Sequence, residues 1–296
     1  MATIDIQSLP VMERMYWLQT AIAPRPICFA STINKNGEVN LSPFSFFNLF
    51  SSNPPVVIFS PSRRGRDNTI KHTLENVLEV PEVAINICNY AMVQQVSLSS
   101  CEYPKGVDEF IKAGFTKTAA SVIRPPLVAE APIQLECKVL EVKSLGEQAG
   151  AGQLVIAEVL TMHVKNELLL PNGKINTAEL DLVARLGGDY YARITKECLF
   201  EVPKPNKDLG IGFDALPRAI RNSTVLTGNH LGMLANSTAI PDVNPAFTDE
   251  RVAHIGHYYS LQPQEMELEL HKYAAELLQK NEVEKAWQVL LHMADE

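Results

Sequence analysis

Residues 25–55 read RPICFASTINKNGEVNLSPFSFFNLFSSNPP, and the fold turns on how this run is divided. Ile27 to Ile33 is a short apolar strand whose far end carries two hydroxyls, Ser31 and Thr32. Pro24 and Pro26 flank Arg25 and hold the approach extended. Pro26 has no N–H to give a ladder, so it marks a strand start or an edge. Asn36 and Gly37 both tolerate positive φ, which makes Asn36-Gly37 a hairpin signal. Val39 to Phe50 is the returning segment, with an interruption expected at Pro43. Its Asn40 to Asn48 part interleaves Asn40, Ser42, Ser45 and Asn48 with three phenylalanines. Core strands rarely carry so many small polar groups between aromatics; a wall against a flat, partly polar ligand does. Pro54 and Pro55 end the unit and launch a β-branched strand, Val56 to Ser60.

The bulk properties set the frame. A chain of 296 residues suffices for one large domain or two ordinary ones. Its 46% hydrophobic and 20% charged content is that of a globular protein. A net charge of −8 without a long basic run argues against a nucleic-acid partner, which needs a cationic face. Apolar runs are of strand length, so no membrane span is expected. The first residues carry acids and lack an apolar core segment, unlike a secretory signal. Cys28, Cys88, Cys101, Cys137 and Cys198 are odd in number and contain no CxxC, the pattern of reduced thiols in a cytoplasmic protein. His254 and His257 have metal-compatible spacing without further ligands nearby, so no metal site is expected.

Beyond the opening run, a helix is expected near Val11 to Leu18. A basic loop, Pro61 to Asn68, leads into a helix with Ile70, Leu74 and Val77 on one face and N-cap candidates at Asp67 to Thr69. Val83 to Cys88 is a buried strand; Asn89 to Ser100 and Pro104 to Ala113 read as helices. In the second of these, Asp108, Glu109 and Lys112 read as solvated. Two long strands, Ile133 to Leu145 and Leu154 to Val164, form a hairpin, and Leu180 to Leu186 follows a turn at Pro171-Asn172-Gly173. Short antiparallel hairpins without a βαβ rhythm or a repeat point to a closed or nearly closed β-barrel decorated with helices. Residues 1–203 form that domain, and residues 204–296 a C-terminal extension. From Lys204 to about Gln262 the extension reads as loop, with prolines at 205, 217, 241, 245 and 263. Residues 264–293 then read as two helices around Asn281, apolar on one side.

The chemistry is narrowed by elimination first. No nucleophile elbow, papain-like cysteine context or Walker A motif is present. GDYY and GIGF lack the further glycines of a dinucleotide fingerprint. What remains suits a flavin mononucleotide. Its phosphate needs cationic and hydroxyl donors near a helix start, which Arg63, Arg64, Arg66, Lys71 and Thr73 offer. Its ribityl chain needs amides and hydroxyls such as Asn40, Ser42, Ser45 and Asn48. Its ring needs a flat contact with backbone N–H groups, which the Pro43 to Phe47 backbone offers. Taken singly, each feature has a plainer explanation: turn residues with local hydrogen bonds, and a solvated basic face. Their adjacency along the chain favours a site.

The run quoted above, followed by KHTLENV and VAINICN, resembles the flavin reductase-like family with the FMN-binding split-barrel fold. The likeness extends over roughly residues 20–200, including RLGGDYY, and is nearest to the flavoredoxin-like branch. It implies a mainly β protein, an antiparallel Greek-key split β-barrel decorated with helices, here with a loop-rich C-terminal extension ending in an α-helical hairpin. It also implies a homodimer with FMN held between subunits. By position, Ser31 and Thr32 fall at the ribityl and ring edge; Asn40, Ser42, Pro43, Phe44 and Ser45 line the isoalloxazine; and Phe46 and Asn48 continue that arm. Ser60, Arg66, Lys71 and Thr73 are the phosphate candidates. Where many relatives have Lys-Asp-Thr, this chain has Lys71-His72-Thr73, which replaces an acid beside the phosphate loop. The segment Ile220 to Leu234 is expected to pack over the barrel or the partner's flavin site.

The function implied is hydride transfer from NADH or NADPH to flavin N5, which needs approach geometry and N–H donors more than a protein acid or base. The alternative is an FMN-holding electron carrier reduced by a protein donor. A third reading, from fold analogy alone, is a split barrel that takes haem or a pyridoxal compound.

Overall fold

The structure, a computed structural model, describes residues 1–202 and 208–292. The expected domain boundary at 203/204, Pro205 and the end of the last helix at 293 fall outside them. The chain divides into two compact units, Met1–Phe200 and Glu201–Glu296.

The first unit opens with helix α1 (Val11–Ala21) and then builds β1 (Cys28–Ile33), β2 (Val39–Phe44), β3 (Phe47–Ser52), β4 (Pro55–Phe59) and β5 (Glu82–Ile87). Helix α2 (His72–Glu79) lies between β4 and β5; α3 (Val93–Leu98) and α4 (Glu109–Ala113) follow β5. A two-residue pair, β6 (Lys117–Thr118) with β7 (Leu127–Val128), precedes the long β8 (Ile133–Ser144) and β9 (Gln153–Val164). A final hairpin joins β10 (Leu182–Arg185) to β11 (Tyr191–Ile194). The main sheet has seven strands in the order β2-β1-β5-β8-β9-β4-β3, each pair antiparallel. This is the expected antiparallel split barrel with helices on it.

Strand β1 is buried on both faces, and period two sorts its side chains. Ile27 and Phe29 join a cluster with Val96, Phe110 and Phe115 beneath α3 and α4. Cys28 and Ala30 join the opposite cluster with Phe59, Leu74, Val77 and Val155, which includes the apolar face of α2. A Glu136 carboxylate within β8, fully buried, accepts backbone N–H groups from Ser121, Val122 and Ile123 and contacts His163 Nε2 at 2.7 Å, which fixes the loop before β7.

Four local expectations change. Pro43 does not interrupt its strand: β2 runs through it to Phe44, and the break comes at Ser45-Phe46. β2 is an edge strand, and the Leu41 N–H points away from β1 to a side chain. The absent N–H of Pro43, two residues on, therefore falls on the side with no ladder to lose. Helix α2 starts later than read: Asp67 folds back on Thr69 in a local turn, and Lys71 takes the N-cap position without a side-chain cap. Pro104 to Val107 is a turn, Asp108 caps α4 through the Phe110 N–H, and Glu109 is buried, not solvated. The stretch read as loop from Lys204 to Gln262 contains three helices among its described residues: α5 (Arg218–Arg221), α6 (Gly228–Ala235) and α7 (Glu250–Tyr258).

In the second unit these pack with α8 (Pro263–Gln279) and α9 (Val283–Leu291) around their own core. Asn281, at φ +61°, turns the chain between α8 and α9. Trp287 is 1% exposed, with its indole N–H donated to Ser237 Oγ at 3.0 Å. Ile220, Leu231 and Leu234, from the segment expected to cover a flavin site, are buried in this core.

Candidate functional site

Strand β2 pairs Thr32 with Asn40 and Ala30 with Ser42, so Asn40, Ser42 and Phe44 share one face. That face meets the start of α2. Thr73 Oγ1 donates to Asn40 Oδ1 at 2.6 Å, and Lys71 Nζ stands 5.8 Å from the centre of the Phe44 ring. Deeper along the same helix, Asn76 donates to Thr32 Oγ1 at 3.1 Å. On the other flank Glu109 uses both oxygens on β2: Oε1 accepts from Asn40 Nδ2 at 2.8 Å and Oε2 from Leu41 N at 2.9 Å. The result is a polar pocket at the head of α2, walled by Asn40, Ser42, Arg64, Lys71, Thr73 and the loop Ser99–Tyr103.

Its lining sets the cations Lys71 and Arg64 against the carboxylates of Glu102 and Glu109, the latter already taken up by Asn40 and Leu41. Lys71 and Arg64 face the pocket together. Burial, then the Arg64 guanidinium, push the Lys71 ammonium below its ordinary pKa. His72 is held below the ordinary imidazole value by burial first and by Arg64 next, so it adds little charge at neutral pH. The α2 N-terminus has no side-chain cap; Leu74 and Glu75 donate to the Lys71 carbonyl, and the His72 and Thr73 N–H groups have no partner among the described residues. A doubly charged phosphate would relieve the cation repulsion and take those donors. The donor set therefore fits the phosphate end of a flavin mononucleotide.

The anticipated site residues do not all gather here. Asn40, Ser42, Lys71 and Thr73 line the pocket, and Phe44 lies beneath Lys71. Thr32 and Ser31 are fully buried within β1; Thr32 accepts from Asn76, and the Ser31 hydroxyl has no partner among the described residues. Pro43 and Ser45 follow the other parity of the arm, and Ser45 Oγ takes a long hydrogen bond from Arg25 Nε at 3.4 Å. Phe46 is exposed and begins the turn into β3; Asn48, on β3 at the other end of the sheet order, bonds the neighbouring Leu49 N–H. Ser60 is buried and accepts from Gln153 N at 3.0 Å, tying β4 to β9. Arg66 has a side chain 75% exposed and pairs with Glu102 at 2.6 Å; the arginine that faces the pocket is Arg64. Two contributors were not foreseen as site residues: Glu109, read as solvated, and the Ser99–Tyr103 loop, whose residues carry no local signal of ligand contact.

A family model described as "Flavin reductase like domain" matches residues 20–179. An uncharacterised protein of Halalkalibacterium halodurans is 36% identical over 192 residues, which cover 64% of this chain and 91% of that protein. The crystal structure of nitrilotriacetate monooxygenase component B from Bacillus cereus superposes with a TM-score of 0.64 and 29% identity, covering 68% of this chain and 98% of that one. Flavoredoxin of Desulfovibrio vulgaris shares the fold, with a TM-score of 0.52 at 18% identity over 62% of this chain and 92% of that one. The antiparallel barrel, the ordered motifs of residues 25–76 and this match over more than half the chain agree: the protein belongs to the flavin reductase-like family of split-barrel flavoproteins.

Proposed function

We propose that this chain is an FMN-dependent oxidoreductase that accepts hydride from NADH or NADPH and works as a homodimer. The observation that carries the reading is the paired cations Lys71 and Arg64 at an uncapped helix start, on the same face as Asn40 and Ser42. The family supports flavin as the ligand, and the phosphate-shaped donor set favours FMN over an unphosphorylated flavin.

The chemistry FMN supplies when bound is two-electron acceptance at N5. The residues' part is to bind and orient. Lys71, Arg64 and the first N–H groups of α2 would hold the phosphate. Ser42, with Asn40 behind it, would meet the polar chain, while the outward backbone beyond Pro43 would lie along the ring edge. The Glu109 carboxylate accepts from both Asn40 and Leu41, so it holds the strand and is not free to shuttle a proton. That division suits hydride transfer, in which positioning does most of the work.

Phe46, Leu49 and Phe50 are exposed on and beside edge strand β3, and Met12, Tyr16 and Trp17 on α1. Such apolar groups support burial against a second copy. Sedimentation analysis should give twice the chain mass, and a single-chain mass removes the dimer from the reading.

Purified protein titrated with FMN should bind it and bleach the flavin bands when NADH or NADPH is added without oxygen. A chain that binds FMN but leaves it oxidised would be an electron carrier. A chain that shows no flavin binding overturns the proposal.

A further inference from the structure

Glu102 stands between two arginines from the loop that leads into α2. Its Oε2 accepts from Arg66 at 2.6 Å, and its Oε1 lies 3.6 Å from Arg64 Nε. Arg64 is largely enclosed, with a side chain 15% exposed, and also donates to Thr69 Oγ1 and the Ile70 carbonyl. The Glu102 charge reaches Lys71 too, where it opposes the lowering caused by burial and Arg64. The carboxylate and these cations come from segments more than thirty residues apart, yet both segments wall the same pocket.

We propose that Glu102 is an internal stand-in for the ligand's phosphate and sets a threshold that admits a phosphate dianion to Arg64 and turns weaker anions away. This rests on the FMN reading given above. A single carboxylate partly neutralises Arg64 and Arg66 and keeps the basic loop folded onto the Ser99–Tyr103 loop. A phosphate dianion carries twice the charge and three acceptor oxygens, so it can take Arg64 from Glu102. A monoanion such as chloride or acetate gains too little to do so. Each binding event therefore costs the loss of the Glu102 contact to Arg64. Exposed pairs of this kind contribute only a small term, which makes Glu102 a moderate threshold that phosphate can cross.

Glu102→Gln keeps the side chain's size and removes its charge. Flavin fluorescence titrations with FMN and with riboflavin would separate phosphate effects from ring effects. The variant should bind FMN about two- to fivefold more tightly at low salt, with riboflavin affinity unchanged. The gain should shrink between about 20 mM and about 200 mM salt as screening sets in. Unchanged or weaker FMN binding, or equal tightening for riboflavin, overturns the role of Glu102 while leaving the FMN reading intact. Failure of both proteins to bind FMN overturns the flavin reading and this inference with it.

Discussion

Thr73 Oγ1 donates to Asn40 Oδ1 at 2.6 Å, so the hydroxyl that begins α2 has its proton committed to the edge strand. Asn40 passes the polarity on by donating to Glu109 Oε1. The relay locks α2, β2 and α4 into one arrangement and leaves Lys71, Arg64 and the helix N–H groups as the donors facing the pocket. Replacing Asn40 with Leu removes the middle member. It leaves a buried carboxylate oxygen and a buried hydroxyl without partners, at about 1–3 kcal/mol for each such group. The expected outcome is a loss of about 2–4 kcal/mol in urea unfolding of the first unit. A loss below about 0.5 kcal/mol would show that the relay is not structural.

Glu109 makes that relay sensitive to pH. Burial raises its folded pKa above the ordinary glutamate value, against the lowering effect of its hydrogen bonds. The folded state therefore binds this proton more tightly than the unfolded chain. Between the unfolded and the raised folded value, stability falls as pH rises. Glu109→Gln should flatten that part of the stability curve. Parallel urea titrations at several pH values from about 4 upward test it, and a slope unchanged in the variant contradicts it.

Lys71 should show a trade between stability and binding. Its depressed pKa means that folding works against its charge, so Lys71→Met should raise the melting temperature slightly. The same change removes a charge-assisted contact worth about 1.5–3 kcal/mol, roughly tenfold or more in FMN affinity. Riboflavin binding should move by less than about twofold, because the phosphate is the difference between the two ligands. Equal losses for both flavins would place Lys71 against the ring.

Much of this arrangement is legible along the chain, because residues 25–60 carry their own punctuation. The strand with two terminal hydroxyls, the glycine turn and the proline pair mark β1, the returning segment and β4; that Asn40, Ser42 and Phe44 share one face follows only because β2 runs unbroken through Pro43. Other parts cannot be read locally. Glu109 lies beside Asp108 and near Lys112, in what looks like a solvated helix; its burial depends on donors 68 and 69 residues earlier. Asp67 to Thr69 look like caps, but their side chains serve a turn that precedes the helix. The region from 208 to 262 looks like loop because its helices are short and divided by prolines. Their apolar residues are recognisable as a core only when α8 and α9 are packed among them.

Gly187 tests the docking of α1. A Cβ there would come within 2.1 Å of Thr20 Oγ1 and 3.0 Å of Thr20 Cα. The backbone contact cannot be relieved by a side-chain rotation. Gly187→Ala should cost about 1–3 kcal/mol, the usual range for overpacking, and make α1 the first site of proteolytic cleavage. Gly187→Ala with Thr20→Gly should recover part of the loss. No recovery would mean that the clash lies elsewhere.

The second unit supplies an acid-sensitive element of its own. Asp249 caps α7 through the N–H groups of Arg251 and Val252, and accepts from Tyr273 Oη at 2.8 Å and Lys285 Nζ at 2.9 Å. These contacts outweigh burial and hold its pKa down at about 2. The unfolded chain has the ordinary, higher value and so binds the proton more readily. The stabilisation is therefore complete above about pH 4 and is lost as pH falls toward about 2. Asp249→Asn should cost about 1–2 kcal/mol at neutral pH and remove the corresponding acid-side slope. Trp287 provides the readout, since it is buried in this unit and the other tryptophan, Trp17, is exposed in the first. In a Trp17→Phe background, indole emission followed against pH should shift to longer wavelength at a higher pH in Asp249→Asn than with Asp249 intact. Coincident midpoints would show that Asp249 does not carry the acid sensitivity of this unit.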